Sequence, residues 1–124
     1  MAKVRRVIVE SPYKGDVARN MKYARRCVRD CLIRGEAPIA SHLLYTQEGI
    51  LDDNIPEERD QGIEAGHAWM VAANSVVVYM DLGISTGMEL AIIMAAKTGV
   101  PVEYRHIGEH DDAEAVQSGS EKAP

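Results

Sequence analysis

Short apolar runs alternate along the chain with longer segments in which apolar residues recur every three or four positions. Runs of the first kind predict β-strands, and the longer segments predict helices. The predicted strands cover residues 4–10, 37–42, 75–80 and 100–107, and the predicted helices cover 18–32, 56–72 and 87–97, with a further helical turn near 43–46. This alternation predicts an α/β fold in three layers: a parallel sheet of about four to five strands with helices on both faces.

In a sheet of this kind, ligands bind in the crevice beyond the carboxyl ends of the strands. The loops after the first three strands, at residues 11–16, 41–51 and 81–85, are therefore the expected site. A chain of 124 residues is long enough for one domain, which we predict at 1–107. Residues 108–124 are rich in acidic and small polar residues and lack apolar periodicity, which predicts a disordered tail.

Composition narrows the class of protein. No apolar run approaches the roughly 18 residues of a membrane-spanning helix, and the first residues do not resemble an export signal. We therefore predict a cytoplasmic protein that has no membrane partner. Cys27 and Cys31 lie on one face of a predicted helix, a pattern that favours two small core residues over a disulfide or a zinc site.

The charges are distributed unevenly. The net charge is −5, yet residues 1–34 hold ten Lys and Arg against three acidic residues. A basic helix can attract phosphate groups or nucleic acid. This one has no interleaved aromatic residues and belongs to an acidic chain, which favours a solvated face that pairs with acidic neighbours. Nucleic-acid binding is the less favoured alternative.

Two carboxylates lie near the third predicted strand. Asp81 follows that strand directly, where an acid either caps backbone amides in a turn or contacts a ligand. Glu89 lies in the first turns of an otherwise apolar helix, where the helix dipole stabilises its charge. A carboxylate directed into the crevice could act as a nucleophile or as an acid–base group. We therefore predict a site role for both residues.

Other residues of the same loops could contact a ligand. Gly83 and Gly87 would let the backbone approach it closely, and free N–H groups there could hold an anion. His42 ends the second predicted strand, and we expect its side chain at the same rim of the sheet. The four histidines lack the spacing of metal ligands, so we predict no metal site.

Taken together, several segments have a familiar pattern. They are S-P-Y after the first strand, P-I-A-S-H at the second, I-P-E-E-R at the start of a helix, and then V-V-V-Y-M-D and G-I-S-T-G-M-E. Over roughly residues 4–107 the chain resembles small phage and bacterial proteins related to DUF4406, which look like members of the nucleoside 2-deoxyribosyltransferase-like superfamily. The resemblance implies a flavodoxin-like parallel sheet, a nucleoside or nucleotide as ligand, and assembly as a homo-oligomer.

The resemblance also implies a reaction and roles for particular residues. It implies cleavage or transfer of the N-glycosidic bond of a (deoxy)nucleoside or its 5′-monophosphate, with Glu89 as the nucleophile that forms a glycosyl-enzyme ester. Asp81 would hold the sugar or base, and Ser11, Tyr13 and Ser85 would position the sugar or phosphate. No metal or organic cofactor is required. Hydrolysis and transfer remain equally open.

Gly83 stands where the transferases usually carry a second Asp, and this difference leaves a second interpretation open. The same fold could serve as a non-catalytic module that binds or senses a nucleotide.

Overall fold

The computed structural model describes residues 3–107, so the predicted tail at 108–124 lies outside the described residues. Four parallel strands form one sheet: β1 (Arg6–Glu10), β2 (Ala37–Ile39), β3 (Ser75–Tyr79) and β4 (Val102–Arg105). Their order across the sheet is β2-β1-β3-β4. The sequence prediction of a parallel α/β sheet is therefore confirmed, with four strands.

Four helices connect the strands: α1 (Val17–Ile33), α2 (Ser41–Leu44), α3 (Pro56–Ala68), which continues into a 3-10 turn at Trp69–Ala72, and α4 (Thr86–Thr98). Local chemistry explains their ends. Asp16 caps α1 by accepting a hydrogen bond from the N–H of Arg19, and Gly99 ends α4 in a left-handed conformation with φ of 81°. None of the helices formed by residues 3–107 combines the length and apolar character needed to cross a membrane.

The second strand is shorter than predicted. It ends at Ile39, and the backbone carbonyl of Ala40 accepts hydrogen bonds from the N–H groups of Leu43 and Leu44, both at 3.0 Å. These bonds begin α2, so His42 lies on a helix instead of ending a strand. The prediction failed here because β2 is an edge strand, whose pairing with β1 stops at Ile39.

The sheet separates two apolar layers. On one face, Val7, Val9, Val77 and Tyr79 pack with α1, while on the other face Ile8, Val76 and Val78 pack with α4 and the 3-10 turn. Successive residues of a strand point to opposite faces, and the central strand β3 is covered on both, which explains its uninterrupted apolar run. The prediction for the two cysteines is confirmed, because Cys27 and Cys31 are free and buried in the α1 layer.

A network of charged residues lies in the α1 layer. Arg105 at the end of β4 is buried, and its guanidinium donates to both carboxylate oxygens of Glu36, at 2.8 and 2.7 Å. It also donates to Glu103 at 3.1 Å, and Arg5 bonds to both acids from the solvent side. Because Glu36 immediately precedes β2 and Arg105 ends β4, the network connects the two edges of the sheet.

Candidate functional site

A cavity of about 440 Å³ opens at the carboxyl ends of the strands. Its walls come from the end of β1 and the loop after it, from α2 and α3, and from the start of α4. The chain leaves β1 toward β2 on one side, while β3 lies on the other side. The cavity therefore occupies the point where the strand order reverses, which is the usual ligand site of an open α/β sheet, and its volume suits a small molecule.

Two of the predicted site residues form a hydrogen-bonded pair in this cavity. Ser11 directly follows β1 and is buried, and its Oγ lies 2.6 Å from Nε2 of His42 on α2. Burial lowers the pKa of His42 to about 4, so its imidazole is neutral at pH 7. A neutral imidazole and a hydroxyl can each donate or accept, so the pair suits hydroxyl groups of a ligand.

The start of α4 presents unpaired amides to the cavity. Ser85 caps the helix: its Oγ accepts from the N–H of Met88 at 3.3 Å, and its carbonyl accepts from the N–H of Glu89 at 3.0 Å. The N–H groups of Thr86 and Gly87 have no acceptor within residues 3–107. Ser85, Thr86 and Gly87 all line the cavity. Free amides at the positive end of a 13-residue helix favour an anionic group of a ligand.

Charged side chains complete the polar part of the wall. Arg59 on α3 pairs with Asp53 at 3.1 Å, and Glu58 accepts from the backbone N–H of Asp52 at 2.7 Å. Lys14, in the loop after β1, is exposed and its side chain has no partner among the described residues. Lys14 is therefore the cation of the cavity wall that is available to a ligand.

The carboxyl group of Glu10 was missed by the sequence analysis. Glu10 is the last residue of β1, lies on the same face as Ile8 and lines the cavity. Desolvation by burial raises its pKa to about 8. Its place at the end of an apolar strand, directly before Ser-Pro, could have indicated it. Asp81 was predicted as a site residue from the same kind of position.

Asp81 lies outside the cavity lining, on the α1 side of the sheet. Its carboxylate accepts from the hydroxyl of Tyr23 and from the backbone N–H of Ile107, the latter at 3.1 and 3.2 Å. Partial burial acts to raise the pKa of Asp81, but these hydrogen bonds outweigh it and hold the pKa below its ordinary value. Asp81 therefore connects the end of β3 to α1 and to the segment after β4.

Two further predicted residues lie outside the cavity lining. Gly83 has φ of 88° and its N–H donates to the carbonyl of Met80 at 2.9 Å, so it serves a tight turn. Glu89 is exposed on α4. The structure thus brings five predicted residues together around the cavity and leaves three apart. The five are Ser11, Tyr13, His42, Ser85 and Gly87.

Replacing Asp81 with alanine is expected to lower the free energy of unfolding by about 1–3 kcal/mol, because the buried hydroxyl of Tyr23 loses its acceptor. Tyr23→Phe should cost a similar amount. Urea titration of both single variants and the double variant should give a coupling energy of about 0.5–3 kcal/mol. Strictly additive losses would contradict the proposed connection between β3 and α1.

Comparison with protein families identifies the chain. The family model of DUF7768, a domain of unknown function, matches residues 5–105, so the chain belongs to this family. A comparison with curated proteins finds no match. The resemblance to DUF4406-related proteins was therefore wrong, and nothing in the comparisons supports membership of the nucleoside 2-deoxyribosyltransferase-like superfamily.

The structure suggests why the motifs misled. In G-I-S-T-G-M-E, Gly83 forms a turn and Ser85 caps a helix, and both tasks recur wherever a buried strand leads into a helix. The strand-end Asp81 likewise serves the fold through its hydrogen bonds. Such features are shared among α/β proteins and do not distinguish one family from another.

Proposed function

We propose that this member of the DUF7768 family binds a small anionic ligand of nucleotide size in the cavity at the carboxyl ends of its strands. One observation carries the proposal: the unpaired N–H groups of Thr86 and Gly87 and the free ammonium of Lys14 line the same cavity. Backbone amides at a helix start together with a lysine are a common arrangement for phosphate.

The rest of the wall suits the other parts of a nucleotide. Tyr13, Tyr45 and Ile63 supply aromatic and apolar surface on which a planar base can pack. The Ser11–His42 pair can exchange hydrogen bonds with sugar hydroxyls. A site with apolar walls and a few directed polar groups is typical for ligands of this size.

The role of Lys14 can be tested with nucleoside 5′-monophosphates and the matching nucleosides. We expect the monophosphates to raise the melting temperature more than the nucleosides, because only they carry the anion. Lys14→Ala should weaken monophosphate binding about 10- to 100-fold, the usual effect of losing a hydrogen bond to a charged group, and leave nucleoside binding unchanged. Calorimetric titration measures both.

The matched control is Lys22→Ala, which removes the same charge from an exposed position of α1 outside the cavity. Equal losses in the two variants would point to a general charge effect and would contradict a phosphate site at Lys14. Equal losses together with binding of DNA or RNA that weakens steeply with salt would favour the basic helix as a nucleic-acid surface.

Cleavage or transfer of an N-glycosidic bond stays a proposal. The observation in its favour is that carboxyl groups line the cavity, Glu10 foremost. Incubating the protein with deoxynucleosides or their monophosphates and measuring the release of free base by chromatography would test it. Loss of activity in Glu89→Ala would support the nucleophile predicted from sequence, whereas loss in Glu10→Gln alone would move the reaction into the cavity.

We also propose that the protein self-associates and works in the cytoplasm. Large apolar side chains are exposed on α4 and on the neighbouring 3-10 turn, and their packing in a homo-oligomer would remove them from water. They are Trp69, Val71, Leu90 and Ile93. Light scattering measures the oligomeric state. Two free buried cysteines agree with a reducing compartment.

A further inference from the structure

We propose that Glu10 selects the ligand by accepting hydrogen bonds from two adjacent N–H groups on the edge of a planar base. Guanine presents this arrangement. This inference rests on the proposed nucleotide site and names the class of base it accepts. A carboxylate has two oxygens that can accept two parallel N–H bonds, and such two-point contacts combine strength with geometric selectivity.

Glu10 lies where a ligand in the cavity would meet it. Ile8 on the same strand packs into the α4 layer, and the alternation along β1 directs Glu10 to the same side of the sheet. Glu10 lines the cavity at the end of β1, together with residues of α3 and of the start of α4. A ligand that fills the cavity therefore meets this side chain.

The carboxyl group of Glu10 has no partner within residues 3–107. Of the three acids that line the cavity, Asp53 pairs with Arg59 and Glu58 accepts a backbone N–H, while the carboxyl group of Glu10 makes no hydrogen bond or ion pair within residues 3–107. Glu10 is half-buried, so its carboxyl group has lost part of its hydration without gaining a protein partner in return. Donors on a ligand would supply that partner.

The walls of the cavity favour a flat group as the donor. Aromatic and apolar neighbours such as Tyr13, Tyr45 and Ile63 form a wall that suits a flat ring. The described residues hold no group of three or more His, Cys, Asp or Glu side chains placed to bind a metal ion, so a cation chelated through Glu10 is not favoured. A planar edge with paired N–H groups fits both the acceptor and the wall.

Binding of such an edge should depend on pH. Two N–H donors favour the ionised form of Glu10, whose pKa in the free protein is about 8 because of burial. Binding below pH 8 therefore expels a proton from Glu10, and affinity rises as the pH rises until it levels off above about 8. The other ionisable groups that face the cavity are Tyr13, Lys14, His42, Tyr45, Asp53, Glu58, Arg59 and His67. Burial lowers the pKa of His42 to about 4 and also lowers the pKa of His67.

The test compares guanosine, inosine and adenosine 5′-monophosphates by calorimetric titration against the full chain. Inosine monophosphate lacks only the 2-amino group, so one of the two donors is removed while the ring and phosphate stay. We expect the guanosine compound to bind about 10- to 100-fold more tightly than the inosine compound, the usual effect of one hydrogen bond to a charged acceptor. In Glu10→Gln this ratio should fall to within about threefold.

Glu58→Gln is the matched control, since it neutralises another acid of the cavity wall and should preserve the preference. Titrations of the parent protein in two buffers of different ionisation enthalpy need no variant, and they should show proton release with the guanosine compound below pH 8. Equal binding of all three nucleotides, or a preference kept in Glu10→Gln, would overturn the inference while leaving the nucleotide site intact. No binding of any of the three would overturn the proposed site itself.

Discussion

Replacing Arg105 with alanine is expected to lower the free energy of unfolding by about 3–5 kcal/mol, as measured by urea denaturation. Arg105 and Glu36 are both buried, with side chains 6% and 8% exposed, and two hydrogen bonds join them. Removing the guanidinium leaves the carboxylate of Glu36 buried, and among residues 3–107 its remaining charged partner is the exposed Arg5. A buried charge that has lost its main partner is much more destabilising than a lost surface pair.

Arg34→Ala is the matched control. Arg34 pairs with Asp30 one helical turn away, at 2.9 Å, but its side chain is 45% exposed. We expect a loss of only about 0.3–0.5 kcal/mol, because exposed pairs four residues apart on a helix contribute little. A double variant, Arg105→Met with Glu36→Leu, should recover much of the stability lost in Arg105→Ala. Similar small losses in Arg105→Ala and Arg34→Ala would show that the network does not support the sheet.

The same network should make stability depend on pH. Hydrogen bonding to Arg105 lowers the pKa of Glu36, and hydrogen bonding to Arg5 lowers that of Glu103 to about 2. A carboxyl whose pKa is depressed by folding contributes stability that is fully present above its unfolded value, near 4.5, and is lost as the pH falls toward the folded value. The free energy of unfolding should therefore fall as the pH falls from about 4.5 to 2. In Arg105→Ala, the part of this decrease that is due to Glu36 should be smaller.

Replacing Met88 with alanine is expected to lower the free energy of unfolding by about 2–5 kcal/mol. Met88 is 1% exposed and belongs to the apolar layer between β3 and α4, so its removal leaves a cavity in the core. Its sulfur also accepts a hydrogen bond from the N–H of Ser85 at 3.3 Å. Because Met88 lines the ligand cavity as well, nucleotide binding should weaken in the same variant, which calorimetry can measure alongside urea denaturation.

Leu90→Ala provides the comparison on the same helix. Leu90 is 46% exposed in the single chain, so at protein concentrations where light scattering shows a monomer the variant should lose no more than about 0.5 kcal/mol. Met88→Leu keeps most of the volume and should lose less than about 1.5 kcal/mol. If Met88→Ala lowered the free energy of unfolding as little as Leu90→Ala, the packing of α4 against the sheet would not depend on the Met88 side chain.

Secondary structure was predictable where local periodicity was strong. The apolar run of β3 and the spacing of apolar residues in α1 reflect burial that each element requires by itself. Prediction failed at the end of β2, because a three-residue edge strand has too few positions for its period to show. There the hydrogen bonds of the Ala40 carbonyl, which begin α2, set the boundary.

The site shows the limit of reasoning from the ends of strands. The sequence placed Asp81 at the correct rim, but a side chain at that rim can lie on either face of the sheet. Asp81 continues the alternation of Val77 and Tyr79 toward α1, whereas Glu10 continues that of Ile8 toward the cavity. Whether a strand-end side chain lines the cavity depends on how α2, α3 and α4 pack, and no local pattern contains that information.

The order and type of the elements, and the rim of the sheet at which the cavity opens, could be read from residue order, because they depend on periods and turns within short segments. Packing between distant segments settled the rest. It joined Ser11 to His42 across 31 positions, turned Asp81 into a structural connection to Tyr23, and left Glu10 unpaired in the cavity wall. These outcomes depend on contacts between residues far apart in the chain, which is why only the folded molecule reveals them.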